Sequence, residues 1–397
     1  MQLSEKALAI SPSLTLKITA MAKEMKARGL DVVGFGAGEP DFDTPQHIKD
    51  AAVEAIRIGM TKYTPASGTL ELKKAVCANL KTNHDLSYEP NQIVISNGAK
   101  HSLFNAFQAI VNPGDEVLII APYWLTYPEL VKMAGGIPVY VEAKESNNFE
   151  PLAADIEAAV TNKTKAIIVN NPSNPCGCIY SQKTLEDIAG IAKKYDFFIV
   201  SDEIYGELVY DGNRHLSIAN FSDDAYARTI LVNGLSKTYA MTGWRIGYTA
   251  STPGIAKVMG SYQSHATSNP CSVAQFAGVE ALTGPQDEIK KMRDEFNERR
   301  KLMVELVNGI EGISCVTPMG AFYVMMNISK LKGRKLDGEE IRGSVDFAEK
   351  LLEKKLTAVI PGAAFGADDF VRLSYAISRE NIEKGLRRIA EFVGMLD

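Results

Sequence analysis

Short runs rich in Val, Ile and Phe alternate with longer stretches whose apolar residues recur every three or four positions, through the first two-thirds of the chain. The runs predict strands at residues 92–96, 116–120, 137–141, 166–170, 197–202, 229–233 and 245–250. Several are apolar at consecutive positions, as in strands buried on both faces. Helical spacing appears near residues 100–111, 127–134, 152–160 and 181–195. Strands alternating with helices predict crossover units and a mostly parallel sheet covered on both sides. The run at 245–250 follows 229–233 too closely for a helical crossover, so the predicted sheet is mixed.

Beyond Pro253 the pattern changes. A long charged helical stretch covers 286–308, followed by a β-like run at 321–327, a helix near 345–354, short runs at 358–361 and 371–374, and a terminal helix from Arg379. At the other end, helical spacing at 13–27 stops at Gly29. Thr44-Pro45 reads as a helix start, a capping hydroxyl with proline at the first helical position. The expected fold class is α/β: a large domain with a mixed, mostly parallel sheet flanked by helices, plus a smaller α+β domain from both chain ends. The expected boundaries are 1–45 and 291–397 for the small part and 46–290 for the large one.

Composition narrows the function. The 397 residues are 46% hydrophobic and 23% charged, as in ordinary globular proteins. A net charge of −5 speaks against a broad basic surface for nucleic acid. There is no long uncharged apolar run for a membrane span, and Met1 to Lys6 lacks the basic start of a secretory signal. Five scattered cysteines suit a reducing cytoplasm better than a disulfide framework. No histidine spacing suggests a metal site.

Five segments carry candidate chemistry. Lys237 lies after a strand, where α/β ligand sites lie, and a desolvated lysine becomes a nucleophile towards carbonyls. Arg245, eight residues on, offers a fixed charge for a phosphate. Asp202 and Tyr205 follow the apolar run ending at Val200, where an acid can hold a proton on a ring nitrogen. Asn174 sits in Asn170-Asn171-Pro172-Ser173-Asn174-Pro175, a proline-stiffened loop that presents its amide. Gly98-Ala99-Lys100 opens a helix whose free amides form an anion cradle. The run Gly34 to Glu39 hints at a dinucleotide loop. Glu39 occupies its third glycine position and Pro40 follows, so it reads better as a turn beside a ligand. Taken singly, each segment also has a bland reading: a surface lysine or arginine, a capping aspartate, a plain turn.

Together and in this order, these motifs resemble the class I (fold-type I) pyridoxal-phosphate-dependent aminotransferases, most closely the prokaryotic aspartate aminotransferase branch. The resemblance runs from about Ser11 to the C-terminal helix. It implies pyridoxal 5'-phosphate as cofactor, joined to Lys237 as an internal aldimine, with Lys237 also moving the substrate proton. Asp202 would pair with the pyridine nitrogen. Tyr205 and Asn174 would contact the phenolic oxygen, and Trp124 would stack on the ring. Gly98, Ala99, Lys100, Ser236 and Arg245 would hold the phosphate. Tyr63 would reach it from the neighbouring subunit of a homodimer. Arg372 would grip the substrate α-carboxylate, helped by the Gly38 amide, with Trp124 and Asn174 beside the substrate. Lys100, Thr15 and Ser13 would serve a distal carboxylate. Prephenate-accepting relatives carry lysine where Ser11 stands, which argues against that acceptor. The reaction implied is L-aspartate plus 2-oxoglutarate giving oxaloacetate plus L-glutamate, by a ping-pong route. Aromatic, alanine or methionine donors and a carbon–sulfur β-lyase activity remain alternatives. Pyridoxal-binding regulators carry an N-terminal DNA-binding domain, for which the roughly 30 residues before Gly34 are too few.

Overall fold

The computed structural model describes residues 3–10 and 14–397. Among the described residues, eight strands precede residue 251: β1 (Val33–Gly34), β2 (Ile93–Ser96), β3 (Glu116–Ala121), β4 (Ile137–Glu142), β5 (Thr164–Asn170), β6 (Phe198–Asp202), β7 (Thr229–Gly234) and β8 (Gly247–Ala250). Seven of them form one sheet in the order β2-β8-β7-β6-β5-β3-β4. Only β8 runs against its neighbours, pairing antiparallel with β2 and β7. The sheet is therefore mixed and mostly parallel, as the spacing predicts.

The consecutive apolar residues of the central strands serve two cores. Ala166 and Ile168 of β5 face Leu103, Phe107 and Val200, while Ile167 and Val169 face Leu185 and Ile188. All nine are buried. Burying both faces removes this apolar area from water and leaves only the strand ends free for chemistry.

Three features depart from the sequence reading. The strand expected from residue 245 begins at Gly247, because Arg245 takes a left-handed φ of 57°. Helices Leu70–His84, Pro253–Ala266 and Ser272–Thr283 were not anticipated. Ser272–Thr283 packs against Gln46–Arg57 and Leu70–His84 through small residues such as Ala274, Ala277 and Gly278, which give little hydrophobic contrast along the chain. Finally, Thr44 does not cap a helix. Pro45 precedes Gln46–Arg57, and the Thr44 hydroxyl instead donates to the Ala240 carbonyl at 2.7 Å. It also accepts from Trp244 Nε1 at 3.0 Å.

A second, three-stranded antiparallel sheet places Phe370–Ser374 between Ile360–Pro361 and Tyr323–Asn327. Beside it, β1 pairs in parallel with Thr357–Ala358. Val33 and Phe35 share one core with Phe322, Phe347 and Phe392. The segment after β1 thus runs next to the strand that carries Arg372, and the Ser374 amide donates to the Phe35 carbonyl at 2.9 Å.

Candidate active site

Strands β2, β3, β5, β6 and β7 run in one direction, so their C-terminal residues Ser96, Ala121, Asn170, Asp202 and Gly234 meet at one edge of the sheet. Ligand sites of open α/β sheets lie at that edge. Here the loops leaving it surround a cleft of about 420 Å³, closed on the far side by Arg372 and Tyr323 of the second sheet. Gly38, Ala99, Lys100, Trp124, Asn174, Asp202, Tyr205, Ser236, Lys237, Arg245 and Arg372 all line it.

Lys237 is half-buried, and its ammonium donates to the Gly38 carbonyl. Desolvation lowers its pKa from the usual 10.5 to about 8. Arg372 and Arg245 push the same way, against the opposing pull of Glu39 and Asp202. Near pH 8 a large share of the amine is therefore unprotonated and nucleophilic.

Asp202 is buried at the tip of β6. Burial lifts its carboxyl from 3.8 to about 6. The Tyr127 hydroxyl, 2.7 Å from Oδ2, and the Ile204 amide, 3.3 Å from Oδ1, hold the charged form in place and limit that rise. Asn170 steadies the neighbouring loop: its side chain donates to the Asp202 carbonyl at 3.0 Å and accepts from the Asn174 amide at 2.7 Å.

Two arginines define the ends of the cleft. Arg372 lies between the rings of Tyr323, at 4.4 Å, and Phe365, at 5.0 Å. Its Nη1 donates to Asn174 Oδ1 at 2.9 Å and its Nη2 to the Gly36 carbonyl at 3.4 Å. The buried Nε has no partner, and among the described residues the guanidinium forms no salt bridge. Burial presses its pKa below the usual value, a sign of missing counter-charge. At the other end, Arg245 donates to the carbonyls of Thr242 (2.7 Å) and Asn97 (3.3 Å). It lies against Gly98, where an added Cβ would sit 2.1 Å from Nη2 and where φ is +84°. Glycine is thus required where the chain passes the guanidinium. Next to it, the first amides of helix Ala99–Ile110 lack intrahelical acceptors. Gly247 packs so tightly behind them that a Cβ there would meet the Ala99 nitrogen at 2.2 Å.

Tyr63, expected from a neighbouring subunit, stands away from this chain's own cleft. Tyr63 is 91% exposed and does not line the cleft. The side chain of Thr15, together with Ser11 and Ser13, lies outside the described residues. Lys100 is present, with its ammonium 4.9 Å from the centre of the Trp124 ring. Sequence reasoning missed Tyr127, Tyr323 and Asn170. Tyr127 follows Trp124 by one helical turn, and Tyr323 lies in the β-like run, 3.0 Å from the Tyr205 hydroxyl. The spacing was visible, but only the fold shows that these residues face the cleft.

The raised Asp202 pKa has a stability consequence for the cofactor-free chain. The folded state holds this proton more tightly than the unfolded state. The group's contribution is therefore most favourable below pH 4 and is lost as pH rises through about 6, which costs roughly 2–4 kcal/mol by pH 7.5. Asp202→Asn should remove this loss. Urea midpoints of cofactor-free protein should show the variant gaining on the parent between pH 4 and pH 7.5, and a variant that loses ground instead would contradict the buried-charge account.

Comparison with known proteins agrees with this geometry. The chain matches the family of class I and II aminotransferases over residues 30–389. It is 48% identical to an aspartate aminotransferase of Bacillus sp. (strain YM-2), covering 97% of each chain. It is 46% identical to a probable aspartate/prephenate aminotransferase of Aquifex aeolicus, covering 96% of this chain and 95% of that one. The solved aspartate aminotransferase from Rhizobium meliloti superposes with a TM-score of 0.97 at 42% identity, covering both chains completely. The Thermus thermophilus aspartate aminotransferase with maleate gives 0.93 at 42% identity, over 98% of this chain and 99% of that one. In sequence, in fold and in the residues gathered at its sheet edge, this chain belongs to the class I and II aminotransferases.

Proposed function

We propose that this aminotransferase uses pyridoxal 5'-phosphate to exchange the amino group of L-aspartate with 2-oxoglutarate, giving oxaloacetate and L-glutamate. The observation that carries the reading is Arg372: a buried guanidinium, held only by carbonyl oxygens, facing the same cleft as Lys237 and Asp202. A planar fork without a salt-bridge partner suits a substrate carboxylate. Lys100 is a second cation, suited to the distal carboxylate of a four-carbon dicarboxylic acid. The relatives named aspartate aminotransferase, and the Thermus protein solved with maleate, support that substrate class.

The residues present fit the cofactor. Arg245, Ser236 and the amides of Ala99 and Lys100 would hold a phosphate at the helix start. Gly98 leaves the space that Arg245 needs. Asp202 would keep the ring nitrogen protonated, Asn174 and Tyr205 would donate to the phenolic oxygen, and Trp124 would cover one face. When bound, the cofactor supplies an aldehyde for the amino group and a ring that accepts the electron pair left by the departing Cα proton. Lys237 would supply the amine that holds the aldehyde and a base for that proton. Arg372 and the Gly38 amide would orient the α-carboxylate, and Tyr127 would hold Asp202 in position for the ring nitrogen.

We further propose a cytoplasmic homodimer in which Tyr63 of the second copy completes the phosphate site. The exposed Tyr63, with Val53, Ile56 and Ile58 exposed nearby in the chain, supports an apolar contact face. Residues 46–290 would form the large cofactor domain, with 1–45 and 291–397 as the small one. The name of the Aquifex relative raises prephenate as a second acceptor, and Ser11 argues against it.

A donor panel against 2-oxoglutarate tests the substrate. Aspartate should give the highest kcat/KM, with oxaloacetate as product; phenylalanine or alanine far ahead of it would overturn the assignment. Lys237→Ala should keep its circular dichroism and lose turnover, and a near-normal rate would remove Lys237 from catalysis. Arg372→Ala should chiefly raise KM for aspartate, by roughly 2–5 kcal/mol of binding. An unchanged KM would remove Arg372 from the substrate site.

A further inference from the structure

Directly behind Asp202, the chain buries a second carboxylate that the proposed chemistry does not use. Glu203 is 1% exposed and does not line the cleft. Its Oε1 accepts from Ser201 Oγ at 2.8 Å and from Ser217 Oγ at 2.6 Å, and its Oε2 lies 2.8 Å from His215 Nε2. The His215 side chain is itself 3% exposed, and its other nitrogen, Nδ1, has no partner among the described residues. Gly206 makes room for this ring: a Cβ there would sit 3.1 Å from Cδ2. His84, at the end of helix Leu70–His84, meets His215 edge-on at 5.6 Å and lies 3.4 Å from Glu207. Three separate parts of the chain therefore converge on the turn that follows Asp202.

A buried carboxylate needs both hydrogen bonds and counter-charge. Glu203 has three side-chain partners, two hydroxyls and one imidazole. These donors disperse the charge of a carboxylate that stands one residue from the acid facing the cleft. The other titratable groups around the pair are His84 and Glu207, with Arg293 acting on Glu207. The hydroxyls of Tyr88 and Tyr248 feel Glu203, and that of Tyr239 feels Glu207. On the cleft side stand Asp202 and Lys237.

We infer that Glu203, clamped by His215 and two serine hydroxyls, is a positioning residue for Asp202, fixing the turn that carries it and setting, through those donors, how strongly its buried charge tightens the ring nitrogen's hold on its proton. This rests on the pyridoxal-phosphate reading and adds to it two residues that touch neither cofactor nor substrate. Glu203 acts through Asp202 by charge, and His215 acts through Glu203. The consequence is a sign rule. Removing Glu203's charge while its donors stay should make the cofactor environment more positive, whereas removing the His215 donor while Glu203 stays should leave that charge less dispersed and make the environment more negative.

The test loads full-length parent, Glu203→Gln and His215→Gln with pyridoxal phosphate, then titrates the visible absorption band from pH 5 to 9.5. The dissociation constant for the cofactor is measured alongside. Glu203→Gln should shift the spectral transition down and His215→Gln should shift it up, each by about 0.3–1 pH unit. If His215→Gln does not fold, Ser217→Ala should give a smaller upward shift, because it removes one donor from the same carboxylate. Shifts of the same sign, or weaker cofactor binding with no shift, would mean a purely structural role and would overturn the inference. A parent protein that forms no visible band would sink the cofactor reading itself, an outcome distinct from a parent band with unshifted variants.

Discussion

The site depends on concentrating positive charge in a cleft without neutralising it. Arg372, Arg245 and Lys237 all line the same 420 Å³ space, and each is held by backbone or amide carbonyl oxygens. Carbonyl partners satisfy the geometry of N–H donors but carry no net charge. The cleft therefore keeps a positive field that an anionic ligand can satisfy. Salt bridges at these positions would make a quieter protein with nothing left to bind.

The backbone makes this arrangement possible in two steps. Parallel strands bring five C-terminal ends to one edge, so residues 96 to 234 converge although they are far apart in sequence. The second sheet then supplies Arg372 from its middle strand, and the segment after β1 runs alongside it. That segment is tied to the Lys237 loop by Thr44, which bridges Ala240 and Trp244. The positions of Gly36 and Gly38 relative to Arg372 and Lys237 follow from these ties.

Two neighbouring carboxylates show how burial is handled in opposite ways. Asp202 receives donors but no close cation, and burial lifts its pKa to about 6, a value suited to sharing a proton with a ring nitrogen. Glu203 receives two hydroxyls and an imidazole, which hold its pKa below the usual value against the opposing effect of burial. Alternation at a strand end sends the two acids into different surroundings. The surroundings, not the residue type, decide their chemistry.

Much of the large sheet was legible from the chain alone. Buried strands announce themselves by consecutive apolar residues, and the loops that follow them carry Asn174, Asp202 and Lys237 at the positions where ligands bind. The small-residue helix Ser272–Thr283 was not legible, because Ala, Gly and Ser give no strong period. Nor was the role of Thr44, whose hydroxyl finds Ala240, 196 residues away, instead of its own helix. Tyr127 and Tyr323 look like core aromatics until the fold turns them towards Asp202 and Arg372. Local periodicity and ordered motifs are properties of neighbouring residues and can be read along the chain. Which distant donor meets which buried charge depends on strand order and sheet packing, and only the folded chain decides that.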